Sequence, residues 1–471
     1  MMATVLEAFA RFISRQRTRP LPVDVTESAE LRVLDTLGIS AAAAAAGLHD
    51  GVLAMVRDMG GREESSVVGS GVRMPAAQAA LVGGTLAHSL DFDDTHLPSI
   101  VHPSATIVPT ALAVGEALNS DGREIVIAIA IGIETTVRLA LGGMPDDAVN
   151  EFFERGWHAT SICGTLGAAA TAAYLAGLDE DAIGDAIAIA ASFAGGVLEA
   201  NRSGGTVKRL HCGWAAHAGI NAAQLAGHGF SGPRTAIEGR FGFYRAFVGD
   251  RFDPQRAVDG LGDHWEVPGI FYKPYPANHY THGAIDAALQ IKADPSFDVQ
   301  HVRLIELGSS TAALRTIGEP RPDKIRPKSG YHAQFSGPFT VATALLGGGG
   351  LGVWFDDFTD EKARDERILS LAAKVETFVD PEVDRLFPGQ FGAVLRVHTD
   401  TGHVFEKRVL ANRGGPDRPL SRDELRAKFL LNATRLLPAA RAEELASAIG
   451  RLRDAPRGAA TALLGLTAPA L

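Results

Sequence analysis

The sequence is poor in the residues that cross-link a chain or bind metals through sulfur. Its 471 residues include 2 cysteines, Cys163 and Cys212, which are too few for a disulfide framework or a cysteine-based metal site. Aromatic residues make up only 7% of the chain, so small aliphatic side chains must fill the core. The low cysteine content is typical of a reducing compartment, and we expect a cytoplasmic protein.

Membrane-spanning runs and clustered positive charge are also missing. The most apolar run, 125–133, is shorter than the roughly 20 residues that cross a bilayer. The N-terminal stretch 1–15 lacks the unbroken apolar core of a signal peptide, so we interpret it as a first helix. The net charge is −10 and the basic residues are spread along the chain, which argues against a nucleic-acid or anionic-membrane partner.

The chain is rich in alanine and glycine, and its pattern changes after about residue 270. Between about 20 and 245, helix-like segments follow one another with short glycine-containing breaks. Alternating β patterns then appear, and helices return after Pro416. We predict a mainly α fold, in which a large all-helical domain (1–270 and 410–471) contains an inserted, smaller α+β lid domain (271–409). The predicted strands are 302–307, 374–379, 393–398 and 403–409, with a hairpin turn at 399–402.

The densest group of polar residues lies between two apolar, helix-like segments, 75–90 and 107–118. Acidic groups between core helices are costly unless they are paired or take part in function. The pattern therefore indicates a candidate site. Its members are His88, Asp91, Asp93, Asp94, Thr95, His96 and His102.

Four further clusters offer groups for the same site. In one, glycines at 204 and 205 precede the pair Lys208–Arg209 at the predicted start of a helix, a pattern suited to anion binding. A seam between the helical domain and its insert is a usual place for a small-molecule pocket. The other three clusters are centred on His158, on Lys273 with His282, and on Tyr331 with Ser336.

Other interpretations compete with an acid–base site. We interpret His211, His279 and His332 as structural or surface residues, because a histidine near a helix end often has no other role. A metal-dependent hydrolase using the Asp91–His102 cluster is one alternative, although no HxxxH or HExxH spacing occurs. The glycine run 347–352 follows a predicted helix rather than a strand, so it does not indicate dinucleotide binding. A helical scaffold without catalytic activity is a further alternative.

Several motifs, in order between about residues 80 and 340, resemble those of the MmgE/PrpD superfamily. None is sufficient alone, but together they are specific, and fitting helical flanks extend the resemblance to nearly the whole chain. The motifs are Ala87-His-Ser-Leu-Asp-Phe-Asp-Asp-Thr95 with His102-Pro-Ser104, Gly156-Trp-His158 with Cys163-Gly164, Thr206-Val-Lys208-Arg-Leu-His211, Lys273-Pro-Tyr-Pro276 with His282, and Gln334-Phe-Ser336-Gly-Pro338.

The resemblance implies a fold, an assembly and a class of chemistry. The superfamily contains 2-methylcitrate dehydratase, cis-aconitate decarboxylase and iminodisuccinate epimerase, and its members are usually homodimers that need no metal or other cofactor. Each reaction develops a carbanion next to a carboxylate, so the site must supply an acid, a base and cations. We therefore predict a metal-independent lyase or isomerase acting on a small di- or tricarboxylate. A 2-methylcitrate-type dehydratase comes first because that type is the most frequent, and epimerase and decarboxylase are the alternatives.

The resemblance also implies roles for individual residues. His102 precedes Pro103 at a helix start, where the helix dipole would keep the imidazole neutral and able to accept a proton. Lys208 and Lys273 would hold substrate carboxylates. The predicted catalytic residues are Asp91, His102, His158, Lys208 and His282, and the predicted substrate-binding residues are Thr95, Arg209, Lys273, Tyr331 and Ser336.

One departure from the family pattern bears on the reaction. The resemblance implies that decarboxylases carry a histidine shortly after the Lys-x-aromatic-Pro motif, where this chain has Asn278. An amide does not protonate a carbanion as an imidazolium does, so this position argues against decarboxylation unless His282 replaces the missing group. The same position does not separate dehydratases from epimerases.

Overall fold

Helices form most of the structure, as the alanine-rich sequence predicts. The computed structural model describes residues 3–146, 150–200 and 205–468. Its chain divides into two units, one formed by Met1–Ile270 with Arg422–Leu471 and the other by Phe271–Ser421. The predicted mainly α fold with a small sheet is therefore confirmed. That the second unit acts as a lid stays a prediction.

The first unit consists of helices and one short β ladder. Several helices begin with capping boxes, in which the first turn and the preceding residue exchange hydrogen bonds, as Asp121 and Glu124 do. The strands β1 (Ser65–Ser66) and β2 (Arg73–Met74) pair antiparallel. The helices are α1 (Val5–Arg15), α2 (Val23–Ala45), α3 (Asp50–Met59), α4 (Ala76–His88), α5 (Ser104–Ala117), α6 (Gly122–Gly142), α7 (Glu151–Glu154), α8 (Ala159–Leu175), α9 (Glu180–Phe193), α10 (Val207–Gly227), α11 (Phe243–Val248), α12 (Gln255–Val258), α20 (Arg422–Ala433), α21 (Ala439–Ile449) and α22 (Ala459–Thr467).

Helices α4, α5, α6, α8 and α10 form the centre of this unit. Helix α6 is long and apolar enough to cross a membrane by length and composition alone, but 94% of its most apolar 18-residue window is buried inside the unit. Such burial is what a core helix shows. The apolar run 125–133 lies within this helix, which extends from Gly122 to Gly142.

Glycines let the central helices approach backbone to backbone. A Cβ atom on Gly84 of α4 would lie 2.7 Å from the Cα atom of Gly213 on α10, and one on Gly213 would meet the carbonyl oxygen of Leu81. A Cβ atom on Gly219 of α10 would likewise lie 2.5 Å from that of Ala168 on α8. Because backbone cannot move aside as a side chain can, these glycines fix the spacing of the helices that carry the candidate site.

The second unit contains a four-stranded mixed sheet. Its strand order is β4-β3-β5-β6, with β3 parallel to β4 and antiparallel to β5. The predicted hairpin is confirmed, since β5 and β6 pair antiparallel and Gly402 in their turn has a φ of 84°. The elements are β3 (Val302–Ser309), β4 (Val375–Val379), β5 (Ala393–Thr399), β6 (Val404–Val409), α13 (His282–Lys292), α14 (Thr311–Ile317), α15 (Arg321–Ile325), α16 (Gly330–Ala333), α17 (Gly337–Leu346), α18 (Glu366–Ala372) and α19 (Pro381–Leu386).

The second unit ends at residue 421 rather than at the predicted 409. The loop after β6 returns to its own unit, where Arg418 forms an ion pair of 3.1 Å with the buried Asp286. The backbone N–H of Tyr272 donates to the carbonyl oxygen of Gly414. These contacts join the two ends of the inserted segment. Strand periodicity does not show them, so it predicts the end of the segment at the last strand, residue 409.

Candidate active site

A strained loop between α4 and α5 carries the central polar residues. Helix α4 ends at His88 and α5 begins at Ser104, so the chain reverses within fifteen residues. Asp91 and Ile100 both have positive φ angles, 52° and 55°. This conformation is uncommon for an aspartate and unfavourable for a β-branched residue. Strain of this kind persists only where surrounding contacts hold the chain, and it concentrates at functional sites.

Each of the three aspartates in this loop has its own cationic partner. Asp91 lies 3.1 Å from Nζ of Lys208, Asp93 lies 2.7 Å from Nδ1 of His88, and Asp94 lies 3.3 Å from a guanidinium nitrogen of Arg32. All three carboxylates are buried. Buried charges require such pairing, so the carboxylates that the sequence places between two core helices are accounted for one by one.

The ion pair between Arg32 and Asp94 holds the loop between α4 and α5 in place. Arg32 also donates to the carbonyl oxygen of Ile270 at 2.7 Å, and the hydroxyl of Ser104 donates to Asp94 at 2.5 Å. Burial raises the pKa of Asp94 to about 6, against the opposing effects of Arg32 and Ser104. Lys428 from α20 donates to the carbonyl oxygen of Phe92 at 3.3 Å and lies over its ring. Arg32 and Lys428 are absent from the predicted site, because each lies in a helix with several other charged residues and no local pattern sets it apart.

The Nδ1 atom of His102 is held against a backbone carbonyl oxygen. Its Nδ1 atom lies 2.6 Å from the carbonyl oxygen of Asp94 and 3.2 Å from the hydroxyl of Thr95. A carbonyl oxygen only accepts hydrogen bonds, so Nδ1 carries a proton, and in the neutral form of the ring the lone pair lies on Nε2. The backbone N–H of His102 donates to the hydroxyl of Thr160 on α8. The ring is therefore oriented as a general base requires.

His88 is a buried cation beside His102. Burial alone lowers the pKa of His88, but the carboxylate of Asp93 outweighs it, and the pKa rises to about 10. The ring centroids of His88 and His102 are 5.5 Å apart, and those of His88 and His158 are 5.3 Å apart. Within the described residues, the Nε2 atom of His88 has no hydrogen-bond partner. The sequence places His88 in this cluster but indicates no role for it.

Together with His102 and His88, His158 and His211 form a row of four imidazoles. Their Nδ1 atoms are 3.0 Å apart, and their ring centroids are 5.1 Å apart. Burial, together with the charges of His88 and Lys208, lowers the pKa of His158 well below its usual range and that of His211 to about 4. His211, interpreted from sequence as structural, is thus in direct contact with a predicted catalytic residue.

The start of α10 carries the predicted anion-binding pair. Lys208 and Arg209 lie in the first turn of the helix, as the sequence predicts. Ser203 and Gly204 of the preceding glycine-rich loop lie outside the described residues. The side chain of Lys208 is 12% exposed, and its ammonium group contacts Asp91. That Arg209 binds substrate stays a prediction.

Within the described parts of the chain, no group of three histidine, cysteine or acidic side chains is arranged to hold a metal ion. The acidic residues proposed for that role point to separate cations instead. Asp91 contacts Lys208, and His102 directs Nδ1 to a backbone carbonyl oxygen. The metal-dependent hydrolase therefore has no support from the geometry of this cluster.

The other predicted site residues belong to the second unit. Lys273 and His282 are buried, and Nε2 of His282 lies 3.1 Å from the carbonyl oxygen of Ala277. The hydroxyl of Ser336 caps α17 by accepting from the N–H of Phe339 and donates to the carbonyl oxygen of Lys324. These contacts give Ser336 a structural role. That Lys273, His282, Tyr331 and Ser336 act on substrate stays a prediction.

Comparisons with known proteins cover nearly the whole chain. The model of the MmgE/PrpD N-terminal domain matches residues 7–255, and that of the MmgE/PrpD C-terminal domain matches residues 275–454. Cis-aconitate decarboxylase of Mus musculus is 28% identical, and the match covers 96% of this chain and 92% of that protein. The enzyme of that name from Homo sapiens is 29% identical over 96% and 93% of the two chains. One from Aspergillus terreus is 26% identical over 81% and 79%.

Proposed function

Because the chain belongs to the MmgE/PrpD family, we propose that it is a metal-independent lyase acting on a small di- or tricarboxylate. The observation that carries the proposal is the orientation of His102. Its Nδ1 atom lies 2.6 Å from the Asp94 carbonyl oxygen, so a proton that the neutral ring accepts would bind at Nε2. Abstraction of a proton from a carbon next to a carboxylate requires such a group, and the same ring, once protonated at Nε2, can return a proton to such a carbon.

The cations around His102 supply the second requirement. His88 carries a positive charge through its pairing with Asp93, and Lys208 lies in the first turn of α10. Negative charge that develops next to a substrate carboxylate is stabilised by fixed positive groups in a site that excludes water. An overall acidic protein thus places two cationic side chains, each also paired with an aspartate, close to the candidate base.

Decarboxylation of the cis-aconitate type is the first candidate reaction. It is supported by the relatives of that name, which match nearly the full length of this chain at 28% and 29% identity. Loss of CO₂ leaves an electron pair on carbon that must be protonated, and the row of imidazoles can supply that proton. The 2-methylcitrate-type dehydratase, the first choice from sequence, takes second place on this comparison.

Dehydration remains a candidate because of Asn278. Its side chain accepts a hydrogen bond of 3.1 Å from the N–H of Tyr280 and so caps the turn His279–Thr281. An amide engaged in this way is no proton donor to carbon. Dehydration needs a base for the C–H bond and an acid for the leaving hydroxyl, and the histidines of the first unit suffice for both.

Incubation with a substrate panel tests the proposal. The purified protein, dialysed against chelator, is mixed separately with cis-aconitate, 2-methylcitrate, citrate and iminodisuccinate, and products are followed by proton NMR. CO₂ loss from cis-aconitate supports decarboxylation, and water loss from 2-methylcitrate or citrate supports dehydration. Epimerisation of iminodisuccinate alone would contradict the lyase and favour the epimerase alternative.

A pair of variants links any activity to the site. Lys208→Ala removes the ammonium group that contacts Asp91, whereas Lys328→Ala removes one whose side chain is 76% exposed. We expect the first variant to lose activity and the second to keep it. Turnover of none of the four compounds would contradict the proposed function, and activity that requires added metal would favour the hydrolase.

A further inference from the structure

The contact between His158 and His211 places a strict limit on where their protons lie. The two Nδ1 atoms are 3.0 Å apart, a hydrogen-bond distance. Two protonated nitrogens would clash at this distance, and two lone pairs would repel each other. The pair therefore holds one proton between its Nδ1 atoms, and the tautomer of one ring determines that of the other.

The backbone around the pair is fixed by further hydrogen bonds. The N–H of His158 donates to the carbonyl oxygen of Gly196 at 2.9 Å. The hydroxyl of Ser161 lies 2.6 Å from the carbonyl oxygen of Gly195 and 3.2 Å from that of His211. These contacts come from α8, α10 and the segment after α9. Three parts of the fold thus fix the distance between the two rings, and their contacts oppose a rotation of one ring away from the other.

The surroundings keep both rings neutral. Burial and the neighbouring charges of His88 and Lys208 lower the pKa of each ring, as described above. A neutral imidazole is a weak acid, because giving up its only N–H proton leaves an anion. His158 alone therefore lacks a way to donate a proton to a carbanion. A second imidazole in contact with its other nitrogen supplies one.

We propose that His211 is a positioning residue that sets the tautomer of His158 and relays its proton. When His158 gives its Nε2 proton to the substrate carbon, its Nδ1 atom takes the Nδ1 proton of His211, and Nε2 of His211 takes a proton from solvent water. One proton enters and one leaves, and both rings end as the opposite neutral tautomers. His211 is 6% exposed and His158 1%. His211 is therefore the ring that exchanges a proton with solvent.

This assignment rests on the proposed function only for the role of His158. Run in the opposite direction, the same exchange lets Nε2 of His158 accept a substrate proton while His211 releases one to water. Neither direction creates a charged ring beside His88 and Lys208. The relay therefore avoids the cost of an added buried cation in a site that already contains two.

Substitutions that keep or remove the polar atom at the δ position test the relay. In His211→Asn, an amide atom takes the place of Nδ1, whereas His211→Phe keeps the ring shape without it. We expect His211→Phe to lower kcat by about 10²-fold with little change in KM, and His211→Asn to restore much of the hydrogen bond and part of the rate. His217→Phe, on the same helix and stacked on Trp214, is the matched control and should leave kcat unchanged.

NMR of the intact protein labelled with ¹⁵N-histidine gives a readout that does not depend on turnover. Protonated and unprotonated ring nitrogens have well-separated chemical shifts, and His158 and His211 are assigned by substituting each in turn. We expect one Nδ1 atom of the pair to be protonated and the other not, and His211→Phe to change the tautomer population of His158. His211→Asn, whose amide still provides a hydrogen-bonding atom, should change the tautomer population of His158 less than His211→Phe does.

The outcomes separate this proposal from the proposed function. Both Nδ1 atoms protonated or both unprotonated in the wild type would overturn the shared proton without any variant. An active wild type with unchanged kcat in His211→Phe would overturn the relay while leaving the function intact. A protein inactive on every substrate that still shows coupled tautomers would retain the proton sharing and lose the function.

Discussion

Replacing His102 by asparagine separates its chemical role from its structural one. Asparagine has an N–H at the position of Nδ1, so it can keep the hydrogen bond of 2.6 Å to the carbonyl oxygen of Asp94. It has no basic atom at the position of Nε2. A general base contributes about 10²–10⁴-fold to rate, and each factor of ten corresponds to about 1.4 kcal/mol. We therefore expect the activation free energy to rise by about 3–5 kcal/mol in His102→Asn.

The stability of His102→Asn should change much less than its activity. A retained hydrogen bond of this kind is worth about 1 kcal/mol, so the melting temperature of His102→Asn should stay within a few degrees of wild type. His102→Leu leaves the buried carbonyl oxygen of Asp94 without this partner, and we expect it to cost about 1–3 kcal/mol of stability as well as activity. Steady-state kinetics and calorimetry on the two variants provide the measurement. Near-normal turnover with early melting in His102→Asn would refute the assignment and transfer the base to Asp91 or His158.

Four further predictions follow from the same geometry. Lys208→Ala should raise KM and lower kcat, with a combined loss of about 2–4 kcal/mol in transition-state stabilisation, and a loss of activity below about threefold would remove Lys208 from the site. The pKa of His88 is raised from 6.5 to about 10 in the fold, so its contribution to stability is fully present below pH 6.5 and is lost as the pH rises toward 10. Urea unfolding should therefore show wild type losing stability over this range more steeply than Asp93→Asn, and parallel curves would argue against the ion pair. Gly84→Ala should destabilise by about 1–3 kcal/mol or more because its Cβ meets backbone, whereas the control Gly465→Ala, which meets nothing within 4 Å, should be neutral or stabilising in thermal melts. Light scattering at micromolar concentration should give twice the chain mass of 49.6 kDa, as the family resemblance implies, and a monomer would contradict that expectation.

Local sequence patterns predicted the elements and several of the site residues. The strands of the second unit were found because alternation along 393–398 and 403–409 is visible without the rest of the fold. The cluster around Asp91 was found because charges between apolar helices are conspicuous. Lys208 could be placed in a first helical turn because glycines precede it.

The pairing of these groups could not be predicted in the same way. The row formed by His102, His88, His158 and His211 joins four separate segments of the chain, and it depends on how closely α4, α8 and α10 pack. That spacing is set by glycine contacts that no local pattern reveals. The contact of His211 with His158 is not predictable from a local pattern because the two residues are 53 positions apart. The pairing of Arg32 is not predictable because the sequence does not show which aspartate it meets.

The central claim is acid–base chemistry at a carbon next to a carboxylate, and solvent deuterium measures it most directly. The chelator-dialysed protein is supplied with its substrate in D₂O, and the product is analysed by NMR. Decarboxylation should place one solvent deuterium on such a carbon, and a dehydratase run in the hydration direction should do the same. His102→Asn should slow this incorporation by about 10²-fold or more. A product formed without solvent deuterium, or incorporation that is equally fast in His102→Asn, would contradict the account.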